Sequence, residues 1–164
     1  FNTPKKSWDE LQALIDDEDV YNVDGDKSYG REDEPHVTLL YGTLPSVTDN
    51  EIKEILYSEP TPKVSIKNIS LFENDKFDVL KFDANGKILN NLNKKLSEIP
   101  NENSFPDYIP HLTICYLKSG KGEKVIKILK NLFDLKEFNE KLKISEYIYS
   151  KVDGSKIKYK LKSN

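Results

Sequence analysis

The chain has 164 residues, of which 37% are hydrophobic and 32% charged, with a formal net charge of −3, so we expect one compact unit and not a multidomain protein. One cysteine, Cys115, excludes an internal disulfide and a zinc site built from several cysteines, and two histidines exclude a histidine-rich metal site. No stretch approaches the roughly 20 apolar residues that a membrane span needs, so we expect a cytoplasmic protein with no membrane partner.

The first quarter of the chain is predicted to contain one helix, one loop and one strand. Ser7 and Glu10 have the spacing of a capping box and lie among apolar residues at helical intervals, which predicts a helix over residues 8–16. The polar, glycine-containing stretch 24–34 is predicted to be a loop. The apolar run 37–41 predicts a strand.

A second capping box and a series of apolar runs predict the remaining elements. Thr48 with Glu51 opens a helix that must end before Pro60. The other predicted elements, in chain order, are a hairpin of strands 64–71 and 77–82, a helix over 88–96, a loop over 100–110, a strand over 112–117, a helix over 125–133 and strands over 140–150 and 156–162.

The order helix, loop, strand, helix, strand, strand occurs twice along the chain. Placing His36 on His111 gives an offset of 75 residues, which also carries the helix at 51–57 onto 126–132 and the first strand of the hairpin onto 139–146. Two copies of so long a period do not make a solenoid. They predict one domain with two related lobes that face each other across a pseudo-two-fold axis. The lobes are predicted to span about residues 1–99 and 100–164.

Both histidines of the chain lie in the same local frame. Residues 35–41 read PHVTLLY and residues 110–116 read PHLTICY, so the two segments match at Pro, His, Thr and Tyr. Side chains two residues apart in a strand point to the same face, so the histidine and the threonine of each segment share a face. The four candidate catalytic residues are His36, Thr38, His111 and Thr113.

Two imidazoles and two hydroxyls around one cleft suit the chemistry of a phosphodiester. Near neutral pH a neutral histidine accepts a proton from the attacking water or hydroxyl, while a protonated histidine donates one to the leaving oxygen. The threonine hydroxyls can hold the non-bridging oxygens as charge builds on them. This chemistry requires neither a metal nor another cofactor. The alternative is that both histidines are ordinary strand residues that a duplication copied.

The paired segments resemble the two His-x-Thr motifs of the 2H phosphoesterase superfamily, and they are most similar to those of compact bacterial and bacteriophage members of the RNA ligase-like type. The resemblance extends over nearly the whole chain. It implies an α+β, duplicated bilobal fold in which two antiparallel sheets face a central cleft with helices outside. It also implies metal-independent hydrolysis or transfer at cyclic or 2′-5′ phosphodiesters by the two histidines and two threonines. Many members begin with a strand, so an N-terminal strand is expected to be missing or displaced here.

The loops that precede the two motifs are expected to flank the cleft and to bind substrate. Tyr29, Phe105 and Tyr108 are predicted to stack on a base, and Lys27 and Arg31 are predicted to contact a phosphate. The alternative for each of these residues is local packing or exposure to solvent.

Four further residues are expected to have structural roles. Tyr41 and Tyr116 lie three residues beyond the motif threonines, on the opposite face by strict alternation, and are predicted to pack in the core. Asp78 is expected to be an exposed carboxylate, with the orientation of a histidine as the alternative. Cys115 shares the parity of His111 and is expected to be a packed side chain and not a nucleophile.

The leading functional hypothesis is a metal-independent phosphodiesterase whose partner is a nucleotide or short RNA, such as a 2′,3′-cyclic phosphate end opened by water. A rival in the same class is a phage enzyme that degrades cyclic oligonucleotide signals of antiviral immunity in the host cytoplasm. A hypothesis from another class is a nucleotide-binding or assembly protein without catalysis. The oligomeric state is open, with a monomer preferred.

Overall fold

The protein has an α+β fold, which confirms the predicted fold class. A computed structural model describes residues 1, 5–105 and 107–161. The elements among these residues, in chain order, are helix α1 (Lys5–Ala13), a 3₁₀ turn (Asp17–Asp19), α2 (Asp49–Tyr57), strands β1 (Ser65–Glu73) and β2 (Phe77–Asn85), α3 (Lys87–Leu96), β3 (His111–Lys118), α4 (Gly122–Leu132), α5 (Leu135–Lys141), β4 (Glu146–Ser150) and β5 (Lys156–Lys160).

The described strands form two antiparallel sheets, one with the order β1-β2-β3 and one made of β4 and β5. The hairpin of β1 and β2 confirms the prediction, and Asn74 shapes its turn by accepting hydrogen bonds from the N–H groups of Lys76 and Phe77 at 2.9 and 3.0 Å. Helix α2 is also confirmed with its capping box. The Glu51 N–H donates to the Thr48 hydroxyl, and the Thr48 N–H donates to the Glu51 carboxylate.

Buried apolar side chains of the described residues pack in two clusters. The first core lies between the three-stranded sheet and helices α1, α4 and α5, and the second lies between α2, α3 and the β4–β5 hairpin. Each core takes residues from both predicted lobes, for example Leu11 with Leu129 in the first and Ile52 with Tyr159 in the second. The two cores therefore do not coincide with the two predicted lobes. None of the helices in the described part of the chain has the length and apolarity to cross a membrane.

Helix α1 begins and ends earlier than predicted. It starts at Lys5, so Ser7 lies inside the helix and the capping box predicted there is wrong. An acidic run over residues 16–19 follows the helix, and carboxylates are unfavourable next to the negative end of a helix. Trp8 and Leu11 are buried from this helix, as the apolar spacing predicted.

The predicted strand at 37–41 is wrong. The structure describes this whole segment, and it contains a single bridge, which joins Val37 to Leu112 of β3. After Val37 the chain leaves the sheet, because Leu39 and Leu40 pack against the second core. The segment thus passes from one core to the other, and this crossing interrupts the strand.

The open edge of β3 is covered by residues that precede the first motif. The Tyr116 N–H donates to the carbonyl of Gly30 at 2.8 Å, and the Glu32 N–H donates to the carbonyl of Ile114 at 3.1 Å. The predicted loop therefore contributes backbone contacts to the sheet edge, which satisfies hydrogen-bonding groups that an uncovered edge would expose.

The second half of the chain contains a helix that the apolar pattern did not indicate. Asp134 caps α5 by accepting the Glu137 N–H at 2.9 Å, and Phe138 of this helix is buried in the first core. The strand predicted over 140–150 consequently begins at Glu146. The 75-residue offset therefore relates helices α2 and α4, but it carries β1 onto residues 140–148, of which only 146–148 belong to a strand.

Candidate active site

The two motifs meet at an antiparallel bridge between Val37 and Leu112. These residues are 75 positions apart, and each directly follows its motif histidine. This register places the histidine of each motif opposite the threonine of the other. Leu112 is fully buried in the first core and Val37 packs against that core, so their sequence neighbours project from the other side of the sheet. We call this side the histidine face, after the four residues that it presents: His36, Thr38, His111 and Thr113.

The two imidazoles are anchored in the same way. Nδ1 of His36 lies 3.3 Å from the carbonyl oxygen of Glu34, and Nδ1 of His111 lies 2.7 Å from that of Ile109. A carbonyl oxygen only accepts hydrogen bonds, so Nδ1 is the donor in both contacts and the neutral ring has its lone pair on Nε2. Glu34 and Ile109 are again 75 positions apart. In each motif the contact made by Nδ1 therefore leaves Nε2 as the ring nitrogen available to another group.

His111 is biased towards its neutral form. Burial lowers the pKa of His111 below its ordinary value. The positive charges of Lys81 and His36 lower this pKa further, whereas Asp83 and the hydrogen bond to the backbone carbonyl act in the opposite direction. A neutral imidazole with an available Nε2 is suited to accept a proton.

His36 lies beside a carboxylate. Oε2 of Glu32 is 4.0 Å from Nδ1 of His36, within the range of an ion pair when both groups are charged. Burial raises the pKa of Glu32, and the charge of His36 opposes that rise. Within the part of the chain that the structure describes, no three His, Cys, Asp or Glu side chains are grouped as ligands for a metal ion.

Comparison with models of known protein families identifies the family of this chain. A family model described as the 2′-5′ RNA ligase superfamily matches residues 3–143, which include both motifs and the three-stranded sheet. The chain belongs to the 2′-5′ RNA ligase superfamily. Membership confirms the resemblance to the 2H phosphoesterases and implies phosphoesterase activity on phosphodiester bonds. A search of curated proteins found no significant match.

In this member of the 2′-5′ RNA ligase superfamily, β2 adds two residues to the site that were not predicted. Lys81 pairs with Thr113 and Asp83 pairs with His111 in the register of β2 and β3, which places both on the histidine face. Lys81 is only 3% exposed, and its Nζ donates to the Asp83 carboxylate at 2.5 Å. The sequence signal that could have found them is a lysine and an aspartate at alternating positions within the apolar run 77–84.

An aromatic ring from β1 contacts both Lys81 and His111. Nζ of Lys81 lies 4.2 Å from the ring centroid of Phe72, and the Phe72 ring meets the His111 ring edge to face at 5.1 Å. Phe72 therefore links the buried ammonium to the second motif histidine.

A bulge in β3 changes which face of the sheet each side chain beyond Thr113 occupies. The pairing of β2 with β3 skips Ile114, so Ile114 and Cys115 together oppose Leu80, and both are fully buried in the first core. Burial raises the pKa of the Cys115 thiol to about 12. The packed role predicted for Cys115 is thus confirmed, whereas its predicted position on the face of His111 is wrong.

The same bulge turns Tyr116 onto the histidine face. Its ring meets that of Tyr29 at 5.4 Å and that of Phe77 at 5.3 Å, and Tyr21 contacts the same cluster. Core packing was therefore the wrong prediction for Tyr116. Tyr29, which was predicted to stack on a base, is packed in this aromatic cluster.

The second predicted loop is brought to the first motif. The Tyr108 hydroxyl donates to the carbonyl of Thr38 at 3.0 Å, and burial raises the pKa of Tyr108. Phe105 is 61% exposed and its ring contacts that of Tyr41 at 5.5 Å. Tyr41 is 49% exposed, so the core packing predicted for it is wrong. Tyr108 positions the motif backbone, while Phe105 and Tyr41 present rings to solvent.

Arg31 forms its hydrogen bonds at the carboxyl end of helix α1 and not with the motifs. Its guanidinium donates to the carbonyls of Gln12 and Ile15 at 2.6 and 2.7 Å and to the Asp17 carboxylate at 2.7 Å. A cation at the carboxyl end of a helix satisfies carbonyl groups that lack helical partners. The phosphate contact predicted for Arg31 is therefore not supported. Lys27 is exposed in its loop, and its phosphate contact stays a prediction.

Asp78 differs from both sequence expectations because it is buried, with 3% of its surface exposed. Its Oδ2 accepts the N–H groups of Gly120 at 3.1 Å and Gly122 at 3.0 Å. The carboxylate thus fixes the turn that leads into α4 and takes no part in orienting a histidine.

Proposed function

We propose that the protein is a metal-independent phosphodiesterase that hydrolyses a cyclic or 2′-5′-linked nucleotide by acid–base catalysis with two histidines. The observation that supports this most strongly is the matched anchoring of His36 and His111 through Nδ1 on either side of the Val37–Leu112 bridge. Ordinary strand histidines need no common orientation, whereas an acid and a base that serve one phosphate must both face it.

In the proposed reaction His111 is the base and His36 is the acid. Neutral His111 accepts a proton through Nε2 from a water molecule whose oxygen bonds to phosphorus. The bond from phosphorus to one ribose oxygen breaks, and the His36 imidazolium donates a proton to that oxygen. One water is consumed, a 2′,3′-cyclic phosphate becomes a monophosphate, and the histidines then exchange protons with solvent to recover their starting forms.

The surroundings of the two histidines support this division of roles. Burial and the charge of Lys81 lower the pKa of His111, which suits a base that must be neutral before it reacts. In the proposed reaction the Glu32 carboxylate, 4.0 Å from Nδ1 of His36, balances the positive charge of the acid.

The two threonine hydroxyls are proposed to bind the non-bridging oxygens of the phosphate. Thr38 lies opposite His111 and Thr113 lies opposite His36 in the register of the bridge. Hydrogen bonds from fixed hydroxyls strengthen as negative charge builds on these oxygens, so they stabilise the transition state more than the bound substrate.

Exposed aromatic rings near the histidine face suit nucleobases. Phe105 and Tyr41 form one exposed pair, and Phe72, which is 36% exposed, lies against His111. Rings of this kind stack on a base without regard to its identity. Because they belong to separate contacts they can take two bases, which favours, as a second candidate, a linked or cyclic oligonucleotide such as the immune signal that a phage enzyme would degrade.

In the test, the full chain is incubated with each of three substrate classes in the presence of EDTA. The classes are 2′,3′-cyclic mononucleotides, 2′-5′-linked dinucleotides and cyclic dinucleotides. Products are separated by chromatography. We expect turnover of at least one class by the wild type and by Val152→Ala, a matched control at an 81% exposed position in the β4–β5 turn. We expect His111→Ala to lose that turnover. Tight binding of these nucleotides without any turnover would contradict the proposal and favour a non-catalytic binder.

A further inference from the structure

Lys81 is a buried cation that lies between the fully buried residues Leu80 and Phe82 of β2. Its side chain is 4% exposed, and a buried ammonium is costly unless it is paired and hydrogen-bonded. Its Nζ donates to the Ser70 hydroxyl at 2.6 Å and to the Asp83 carboxylate at 2.5 Å. The Ser70 hydroxyl in turn donates to Asp83 at 2.8 Å. Burial raises the pKa of Asp83, but the hydrogen bonds from Lys81 and Ser70 to its carboxylate, together with the charge of Lys81, hold that pKa below its usual range. Lys81 and Asp83 therefore form an ion pair inside the fold.

The pair lies against the second motif. Asp83 is directly opposite His111 in the register of β2 and β3, and Lys81 is opposite Thr113. The ammonium sits over the ring of Phe72, and the same ring meets His111 edge to face. Phe72 thus contacts both the ammonium and the imidazole, so a change at Lys81 reaches the His111 ring through one side chain.

We infer that Lys81 is a positioning residue for the proposed general base: acting through Phe72 and its pairing with Asp83, it orients the His111 ring and opposes a positive charge on it. The inference rests on the proposed function, because it concerns the base of that reaction. It gives a role in the site to Lys81, which lies outside both motifs.

The charges that face His111 come from two directions. From β2, Lys81 disfavours the imidazolium and Asp83 favours it. From the first motif, protonated His36 disfavours it as well. Phe72, from β1, is uncharged, and the Ile109 carbonyl accepts the Nδ1 proton in either charge state. Removal of Lys81 should therefore favour protonation of His111, and removal of the Asp83 charge should disfavour it.

The test is a titration of the two histidines by proton NMR in the full chain. With two histidines in the sequence, the ring signals are few, and His111→Gln assigns them by the loss of one set. We expect the His111 midpoint to move to higher pH in Lys81→Met and to lower pH in Asp83→Asn. A merely structural role for Lys81 would not shift the midpoint in opposite directions in these two variants.

An unchanged or lowered midpoint in Lys81→Met, or a raised midpoint in Asp83→Asn, would overturn the inference. If the spectrum of Lys81→Met lacks the dispersion of a folded protein, Lys81→Gln replaces it in the test. Glutamine keeps a polar end that can bind Ser70 and Asp83, and the same criterion applies. The acidic limb of the rate profile should move with the midpoint. We expect the ratio of the rate at pH 6 to the rate at pH 8 to be about threefold or more lower in Lys81→Met than in the wild type. Because NMR reads His111 directly, failure of hydrolysis with the expected shifts would contradict the proposed function and not this inference.

Discussion

Val37 and Leu112 occupy equivalent places in two copies of one motif, and they are bridged to each other across an antiparallel pair. Such a bridge has a local two-fold axis between its residues. The axis exchanges the two histidines and the two threonines, so each histidine faces the threonine of the other copy. In the proposed reaction, a phosphate bound close to this axis meets both histidines and both threonine hydroxyls.

We expect kcat/KM to be a bell-shaped function of pH, because the base must be neutral and the acid protonated. The pKa of His111 is lowered, so the base loses activity by protonation as pH falls through that lowered pKa, and the acidic limb lies below the ordinary imidazole range. The alkaline limb reports loss of the proton from the acid. The measurement is kcat/KM between about pH 4 and pH 9, with and without EDTA.

EDTA should leave this profile unchanged, since the proposed chemistry uses side chains alone. Activity that collapses with EDTA and returns with a divalent cation would rule out the two-histidine mechanism in the form proposed.

Thr38→Val and Thr113→Val should each lower kcat by about 10-fold to 10³-fold with a smaller effect on KM. Valine keeps the shape of threonine and removes the hydroxyl, so the loss reports one hydrogen bond to a phosphate oxygen that strengthens in the transition state. Steady-state kinetics of the two variants, with circular dichroism as the control for folding, check this. Wild-type kcat in both variants would show that the hydroxyls do not touch the reacting phosphate.

The sequence predicted those parts of the fold that depend on local signals. The capping box of Thr48 and Glu51, the turn at Asn74 and the apolar spacing of α3 act within a few residues, and the structure contains each of them. The two motifs were found in the same way, because repetition within one chain is visible without any structure.

The parts that were missed depend on distant contacts. The strand expected at 37–41 is interrupted because Leu39 and Leu40 pack in the second core, which the local apolar run does not reveal. The extra residue Ile114 in β3 is defined by its pairing with β2, so strict alternation misplaced Cys115 and Tyr116.

Arg31→Met should lower stability and leave catalysis unchanged. The variant loses hydrogen bonds from a charged group to the end of α1, which we expect to lower the free energy of unfolding by about 1–3 kcal/mol. Urea unfolding and kcat/KM on the best substrate provide the two readouts. A tenfold or greater drop in kcat/KM with unchanged stability would instead restore the phosphate contact predicted from the sequence.

Gly122→Ala should destabilise the junction between β3 and α4. An added Cβ would lie 2.4 Å from a methyl carbon of Leu71 and 2.9 Å from Oδ2 of Asp78, and both contacts are too short to keep, so the structure around Gly122 must shift. We expect a loss of about 1–3 kcal/mol, which lowers Tm by several degrees in a chain of this size. Lys121→Ala, at the exposed neighbouring position, is the matched control in thermal denaturation and should keep the wild-type Tm. Equal Tm values for all three proteins would contradict the close packing seen at Gly122.

The most direct test of the central claim is the turnover of one substrate by the wild type, His36→Ala, His111→Ala and the double variant, each verified as folded by circular dichroism. Each single variant should lose about 10² to 10⁴ in rate, the usual contribution of a positioned acid or base. The double variant should be little slower than either single one, because both imidazoles serve one proton-transfer cycle. Full turnover by His36→Ala, or losses that multiply in the double variant, would contradict catalysis by the paired histidines.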